Sequence, residues 1–252
     1  MKSMILHRNI AGVPLLEIFP ADKKNQLLPT IFFYHGWRSQ KELVLTQARK
    51  LAAKNFRVIA PDALNHGERK QPVSKVPSLT FWQSIQGNVA EFSLLVHELT
   101  KKGLIDPELV AVGGVSMGGM TTAMLLTQHP EIIAGACLMG TPSPLSYRQF
   151  IFHHAKRENF FIPDDYFSLM SWLENYDLNS QPEKIAERPV LFWHGTQDPR
   201  IPYQEVADFY KKIRQQPYAK KVEFFTGENE GHLVQPELMN LTADFFAKSF
   251  EK

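Results

Sequence analysis

From Thr30 onward, short apolar runs of β type alternate with segments of helical spacing, and this alternation limits the possible folds more than any other feature. The β runs are Thr30–Tyr34 (TIFFY), Phe56–Ala60, Leu109–Val112, Ile132–Met139, Val190–Trp193 and Val222–Phe225. Between and after them lie helix-type segments at 41–54, 80–103, 120–128, 203–215 and 236–250. The second is the clearest: Phe81, Ile85, Val89, Phe92, Leu95 and Leu99 recur every three or four residues, and Thr80-x-x-Gln83 reads as a capping box at its start. Strands joined by helices need crossover connections. The expectation is therefore a mostly parallel sheet with helices on both faces. Met4–Arg8 and Val13–Phe19 alternate as strands around an Asn9–Gly12 turn and predict an antiparallel pair ahead of it. In such sheets, sites form at the carboxyl ends of strands.

One of those ends carries a chemical signature. Leu109–Val112 runs into Gly113-Gly114-Val115-Ser116-Met117-Gly118-Gly119 and then directly into a helix-type segment, so a G-x-S-x-G pattern sits between strand and helix. A serine on so tight a turn has its hydroxyl raised above the sheet edge, which needs neighbours without a Cβ; Gly114 and Gly118 supply them. The helix that follows aims its free N–H groups and dipole at any anion formed beside Ser116.

A serine hydroxyl is a weak nucleophile at neutral pH and needs an adjacent base, usually histidine, itself oriented by a carboxylate. Two residues at later strand ends meet this need: Asp198, in a loop stiffened by Pro199 and Pro202, and His232, after Gly231 and before the last helix. The order Ser116, Asp198, His232 matches that of an established serine triad arrangement. Asp62, Asp164, Asp165 and Asp177 are rivals placed either before Ser116 or away from a strand end. Asp62 and Asn65-His66-Gly67 read as loop structure, and His194 as packing. The oxyanion of a tetrahedral intermediate needs fixed donors, each worth about 3 to 4 kcal/mol. The backbone N–H groups of Met117 and Trp37 are the candidates.

Composition narrows the remaining classes. The chain has 252 residues, is 44% hydrophobic and 21% charged, and its net charge of +2 gives no reason to expect nucleic acid or an anionic membrane as partner. Cys137 is the single cysteine, so no intrachain disulfide can form; with the lack of a secretory-type apolar segment near the N-terminus, this leads us to expect a cytoplasmic protein. No run approaches the ~20 apolar residues of a membrane span. His153-His154 are adjacent on a helical pattern and face apart, and no zinc-like spacing occurs elsewhere, so no metal is expected.

Taken together, these segments resemble an α/β-hydrolase, and more closely the small bacterial serine carboxylesterases of the prolyl-oligopeptidase-like branch. The resemblance is carried by Phe33-Tyr34-His35-Gly36-Trp37, Pro61-Asp62 with His66-Gly67, Asp106-Pro107, the Ser116 turn, His194-Gly195-x2-Asp198-x2-Ile201-Pro202 and Gly231-His232. It implies an α/β-hydrolase fold, a triad of Ser116, Asp198 and His232, and no cofactor. Related dienelactone hydrolases use a cysteine nucleophile, and Ser116 argues against that activity.

Between the strands at 132–139 and 190–193 lies a long connection, 142–187, read as a cap inserted into a single domain of residues 1–252. It contains Tyr147, Phe150, Phe152, Phe160, Phe161, Tyr166, Phe167, Trp172 and Tyr176, a denser aromatic content than the 12% of the whole chain. Phe160, Phe161, Tyr166, Phe167 and Trp172 are the expected lining of a substrate pocket. The function expected is hydrolysis of small-molecule carboxylic esters through an acyl-enzyme. A thioesterase or peptidase would use the same residues, and the absence of a β-propeller from these residues weighs against the peptidase. A non-catalytic binding protein on the same fold is the alternative of a different class.

Overall fold

The computed structural model describes residues 2–251. Eight strands form one sheet in the order β1-β2-β4-β3-β5-β6-β7-β8: β1 (Ser3–Ile10), β2 (Val13–Pro20), β3 (Thr30–Tyr34), β4 (Arg57–Pro61), β5 (Val110–Val115), β6 (Gly135–Leu138), β7 (Val190–Gly195) and β8 (Val222–Gly227). The β1–β2 and β2–β4 pairs are antiparallel, and every pair from β4 to β8 is parallel. The reversal of strand order at β3 lets β4 fall on one side of it and β5 on the other, so β3 and β5 lie side by side.

The apolar strand runs exist because both faces of the sheet are covered. In β3, Phe32 and Tyr34 belong to one core while Ile31 and Phe33 belong to the other. The first core is closed by α2 (Leu79–Lys101), α3 (Met117–Gln128) and α6 (Tyr203–Ile213). The second is closed by α1 (Leu45–Ala53) and α7 (Pro236–Ser249). Burying alternate residues against two separate layers removes the polar half of each strand pattern, as parallel sheets require.

Several boundaries differ from expectation for physical reasons. The helix expected at 41–54 begins as a 3-10 turn, Lys41–Val44, because Lys41 is drawn inward to Asp62. The Thr80 capping box does not form. Helix α2 begins two residues earlier, at a left-handed Ser78, and Thr80 Oγ1 accepts the N–H of Ser74 instead. The β6 run shortens to four residues. The 142–187 connection folds as α4 (Pro144–Arg157), α5 (Tyr166–Leu169) and two 3-10 turns, and the turns pack on α3. Asp177, buried within this insert, accepts the N–H groups of Leu145 and Ser180 and thereby joins its two ends. No helix among the described residues is long and apolar enough to cross a membrane.

Candidate active site

Ser116 sits between β5 and α3 with φ 58° and ψ −114°, a conformation that non-glycine residues rarely adopt. Its surroundings enforce it. The Ser116 N–H donates to the Leu138 carbonyl at 2.8 Å, and its own carbonyl accepts from Met120 at 2.9 Å. The chain also approaches itself too closely for side chains here. A Cβ on Gly118 would lie 2.1 Å from the Tyr34 carbonyl oxygen, and one on Gly114 would lie 2.5 Å from the Gly118 backbone. These two glycines thus let α3 start flush against β3 and β5, which aims Ser116 outward.

The other two candidate residues arrive on loops that are hydrogen-bonded to each other. Thr196 N–H donates to the Gly227 carbonyl at 3.0 Å, Gln197 N–H to the Glu230 carbonyl at 2.9 Å, and Asn229 N–H to Thr196 Oγ1 at 2.9 Å. The loops after β7 and β8 therefore present Asp198 and His232 as one unit. His232 Nε2 accepts from Ser116 Oγ at 2.8 Å, and His232 Nδ1–H donates to Asp198 Oδ2 at 2.6 Å. The side chains of Asp198 and His232 are 0% and 7% exposed.

Burial by itself would raise the Asp198 pKa. Hydrogen bonds from His194 and His232, with the N–H groups of Arg200 and Ile201, outweigh it and hold the carboxyl well below the usual carboxylate range. Asp198 is thus an anion at neutral pH, as is needed to orient and stabilise a protonated His232. His194, read from sequence as packing, is part of this arrangement. Its Nε2–H lies between the Ile201 carbonyl at 2.9 Å and Asp198 Oδ2 at 3.1 Å, and its buried Nδ1 meets no partner among the described residues. The sequence signal was its spacing of four residues before Asp198 at the end of a strand.

The segment after β3 lies against Ser116: a Cβ on Gly36 would stand 3.5 Å from Ser116 Cβ. Two histidines hold it. His35 Nδ1–H donates to the Gly36 carbonyl at 2.8 Å while its Nε2 accepts the N–H of Ala63 at 3.1 Å. Because the Gly36 carbonyl and the Trp37 N–H share one planar peptide, fixing the carbonyl fixes the opposite direction of the N–H. His66 donates to the Leu64 carbonyl and accepts the N–H of Arg38 at 3.0 Å, and its ring meets Trp37 edge-on at 4.9 Å. Asp62 is ion-paired to buried Lys41 at 2.7 Å. Asp62 and His66, expected to be plain loop structure, thus brace the Trp37 segment.

Two cavities reach Ser116. The first, of about 290 Å³, is lined by Trp37, Arg38, Val73, Ser78, Phe81, Tyr147, Ile151, Arg200 and Ile201 besides Ser116. The second, of about 320 Å³, runs along His232, Leu233, Val234, Met239, Leu43 and Val44 and shares Trp37 and Arg200 with the first. The aromatic residues expected to line the pocket are not among these. Phe160, Tyr166 and Phe167 border a separate depression with Phe152 and Lys156. Phe160 and Phe161 are 58% and 74% exposed, and Trp172 packs on Tyr176. Tyr166 is buried and reaches only the rim, through its hydroxyl to Ser78 Oγ at 3.0 Å. The physical reason is the turn of α4: Tyr147 and Ile151, four residues apart, share the face toward Ser116, while Phe152 faces away. The insert reaches the site through α4, and α5 stands farther out.

Cys137 lies buried in β6 with its thiol pushed up to about 12, so it offers no thiolate near neutral pH. Among the described residues, His7, Glu42 and Glu68 are spaced to hold a metal, but Lys41 Nζ already sits 3.1 Å from Glu42 and 2.6 Å from Glu68.

Comparison with known proteins places the chain in a family and a fold. The family model described as the prolyl oligopeptidase family matches residues 83–252. A Bacillus subtilis protein named "Putative esterase YitV" is 36% identical, covering 96% of this chain and 97% of its own length. "Esterase YjfP" of Escherichia coli is 27% identical, covering 95% and 96% respectively. Among solved structures, TT1662 from Thermus thermophilus superposes with a TM-score of 0.80 at 19% identity over 100% of both chains. The fold is that of the α/β-hydrolases.

Proposed function

The chain belongs to the prolyl oligopeptidase family, a family of hydrolases, and from that premise we propose that it is a serine esterase cleaving small carboxylic esters through an acyl-enzyme. The observation that carries the reading is His232, which bridges Ser116 Oγ at 2.8 Å and Asp198 Oδ2 at 2.6 Å. In this mechanism His232 Nε2 takes the Ser116 hydroxyl proton as Oγ attacks the ester carbonyl. The resulting oxyanion is met by the N–H groups of Met117, at the start of α3, and Trp37. His232 then returns the proton to the departing alkoxide, and water, activated by the same imidazole, releases the acid. Asp198 holds the Nδ1–H throughout, fixing the tautomer of the neutral imidazole and stabilising the imidazolium that forms.

Esters are favoured over thioesters and amides by the names of the two relatives, one a "putative esterase" and the other an "esterase". The test is a panel of 4-nitrophenyl esters, acyl thioesters and aminoacyl amides, with fluorophosphonate labelling in parallel. Wild type should hydrolyse the esters and take one label at Ser116. Ser116→Ala should lose the label and about 10⁴-fold or more in kcat. Equal labelling of Ser116→Ala, or turnover confined to the amides, would refute the proposal.

A further inference from the structure

The two cavities that meet at Ser116 differ in a way that assigns their contents. In an acyl transfer the proton on His232 goes to the leaving-group oxygen, so the alcohol portion must lie on the side of His232. Only the second cavity is lined by His232. The acyl portion then occupies the first, against Phe81, Tyr147 and Ile151.

That first cavity has an apolar wall and a cationic rim. Arg38 and Arg200 both line it, and no aspartate or glutamate lines it or the cavity beside it. A third cavity, beyond Trp37, adds Lys70 to Arg38, again without a carboxylate. Arg8, Arg57, Arg69 and Arg157 each meet a glutamate, whereas Arg49, Arg148, Arg188 and Arg214 have no carboxylate partner among the described residues but line neither of these cavities. Among the described residues, neither Arg38 nor Arg200 has a carboxylate partner. The excess is local, because the whole chain carries 28 basic and 26 acidic residues. The backbones of both arginines are anchored, Arg38 through its N–H to His66 and Arg200 through its N–H to Asp198, so the guanidinium groups start from fixed points.

Resting on the esterase reading above, we propose that the preferred substrates are half-esters of dicarboxylic acids. Their methylenes lie along Phe81, Tyr147 and Ile151, and their free carboxylate is held by Arg38 and Arg200. A guanidinium suits this role because its planar fork meets a carboxylate through two parallel N–H···O bonds, and it stays charged at any working pH. Arg38 and Arg200 are then the residues that set acyl specificity.

The test compares mono-4-nitrophenyl adipate with 4-nitrophenyl hexanoate, matched in chain length and leaving group, on the full chain. Each variant is scored by its own ratio of kcat/KM values, so general losses of folding or catalysis cancel. Wild type should favour the adipate by about tenfold or more, and the preference should shrink as salt rises to about 0.5 M. Arg38→Ala and Arg200→Ala should each lower the ratio. Arg38→Glu should invert it, and Arg38→Lys should restore part of it. Turnover of both esters with a ratio near one in wild type overturns this proposal alone. Turnover of neither overturns the esterase reading and this proposal with it. A charge preference seen only in the alcohol portion, for 4-acetoxybenzoate over 4-acetoxybenzamide, overturns the acyl assignment.

Discussion

Among single residues, His35 shows how much of the candidate site depends on groups buried behind it. It is buried, donates to the Gly36 carbonyl and accepts from Ala63, which requires the neutral Nδ1–H form. Burial is the main cause that lowers its pKa, opposed by the bond to Gly36 and aided by neighbouring His66, to about 4. The unfolded chain, with a histidine near 6.5, therefore binds this proton more readily than the folded one. Stability from His35 is whole above about pH 6.5 and declines as the pH falls toward about 4, by a total on the order of 3 kcal/mol. His66 is shifted in the same direction by burial and adds to the decline. We expect denaturant-unfolding free energies to drop between pH 7 and 4.5, and His35→Ala to show a flatter profile over that range. An unchanged slope in the variant would mean that His35 is not the titrating group. The signal for this role was not legible in sequence, because a histidine before a glycine at a strand end reads equally well as packing.

Among elements, the insert is where sequence and structure part. Its length and aromatic content are plain in the sequence, but which aromatics face Ser116 depends on the rotation of α4 about its axis. Tyr147 and Ile151 share one face and line the Ser116 cavity with Phe81, whose ring centroid is 5.9 Å from that of Tyr147. Glu205, at the start of α6, fixes α4 in place by accepting from Ser146 Oγ at 3.0 Å and Thr141 Oγ1 at 2.9 Å. We expect Phe81→Ala and Ile151→Ala to move the preferred acyl chain to longer esters, each added methylene gaining about 0.8 kcal/mol until the enlarged cavity fills. Phe160→Ala and Phe161→Ala, on exposed positions, should leave the chain-length profile where it was. The profile of 4-nitrophenyl esters from acetate to decanoate decides between them. A shift in the Phe160 or Phe161 variants alone would return the pocket to α5 and its approach.

For the whole molecule, the site is held by layers that lie beneath it. Phe246 of α7 is fully buried on the face opposite α3, against Phe56 and within 3.3 Å of where a Gly113 Cβ would stand. Gly113 is in β5, three residues before Ser116, so α7 supports the strand that carries the Ser116 turn. Phe246→Ala should cost about 3 to 5 kcal/mol through the cavity it leaves. Its effect on activity should follow the folded fraction: below its lowered Tm, fluorophosphonate labelling of Ser116 should remain stoichiometric. Loss of labelling in a chain still folded by circular dichroism would show instead that the back layer sets the geometry of the turn.

The sequence by itself determined the parallel sheet, because alternating apolar strands and amphipathic helices have few other ways to bury their faces. It also located the turn at Ser116, because a strand, two glycines and a helix leave that backbone little choice, and it singled out Asp198 and His232 by their places after strands. Those are local properties, written in spacing and residue size. What only the tertiary structure decided are relations between distant segments: the contact of His194 with Asp198, the bracing of Trp37 by His35 and His66, the pairing of Asp62 with Lys41, and the face that α4 turns to Ser116. The physical reason is that helix rotation and loop placement are set by packing against several elements at once, and no single stretch of sequence contains all the partners.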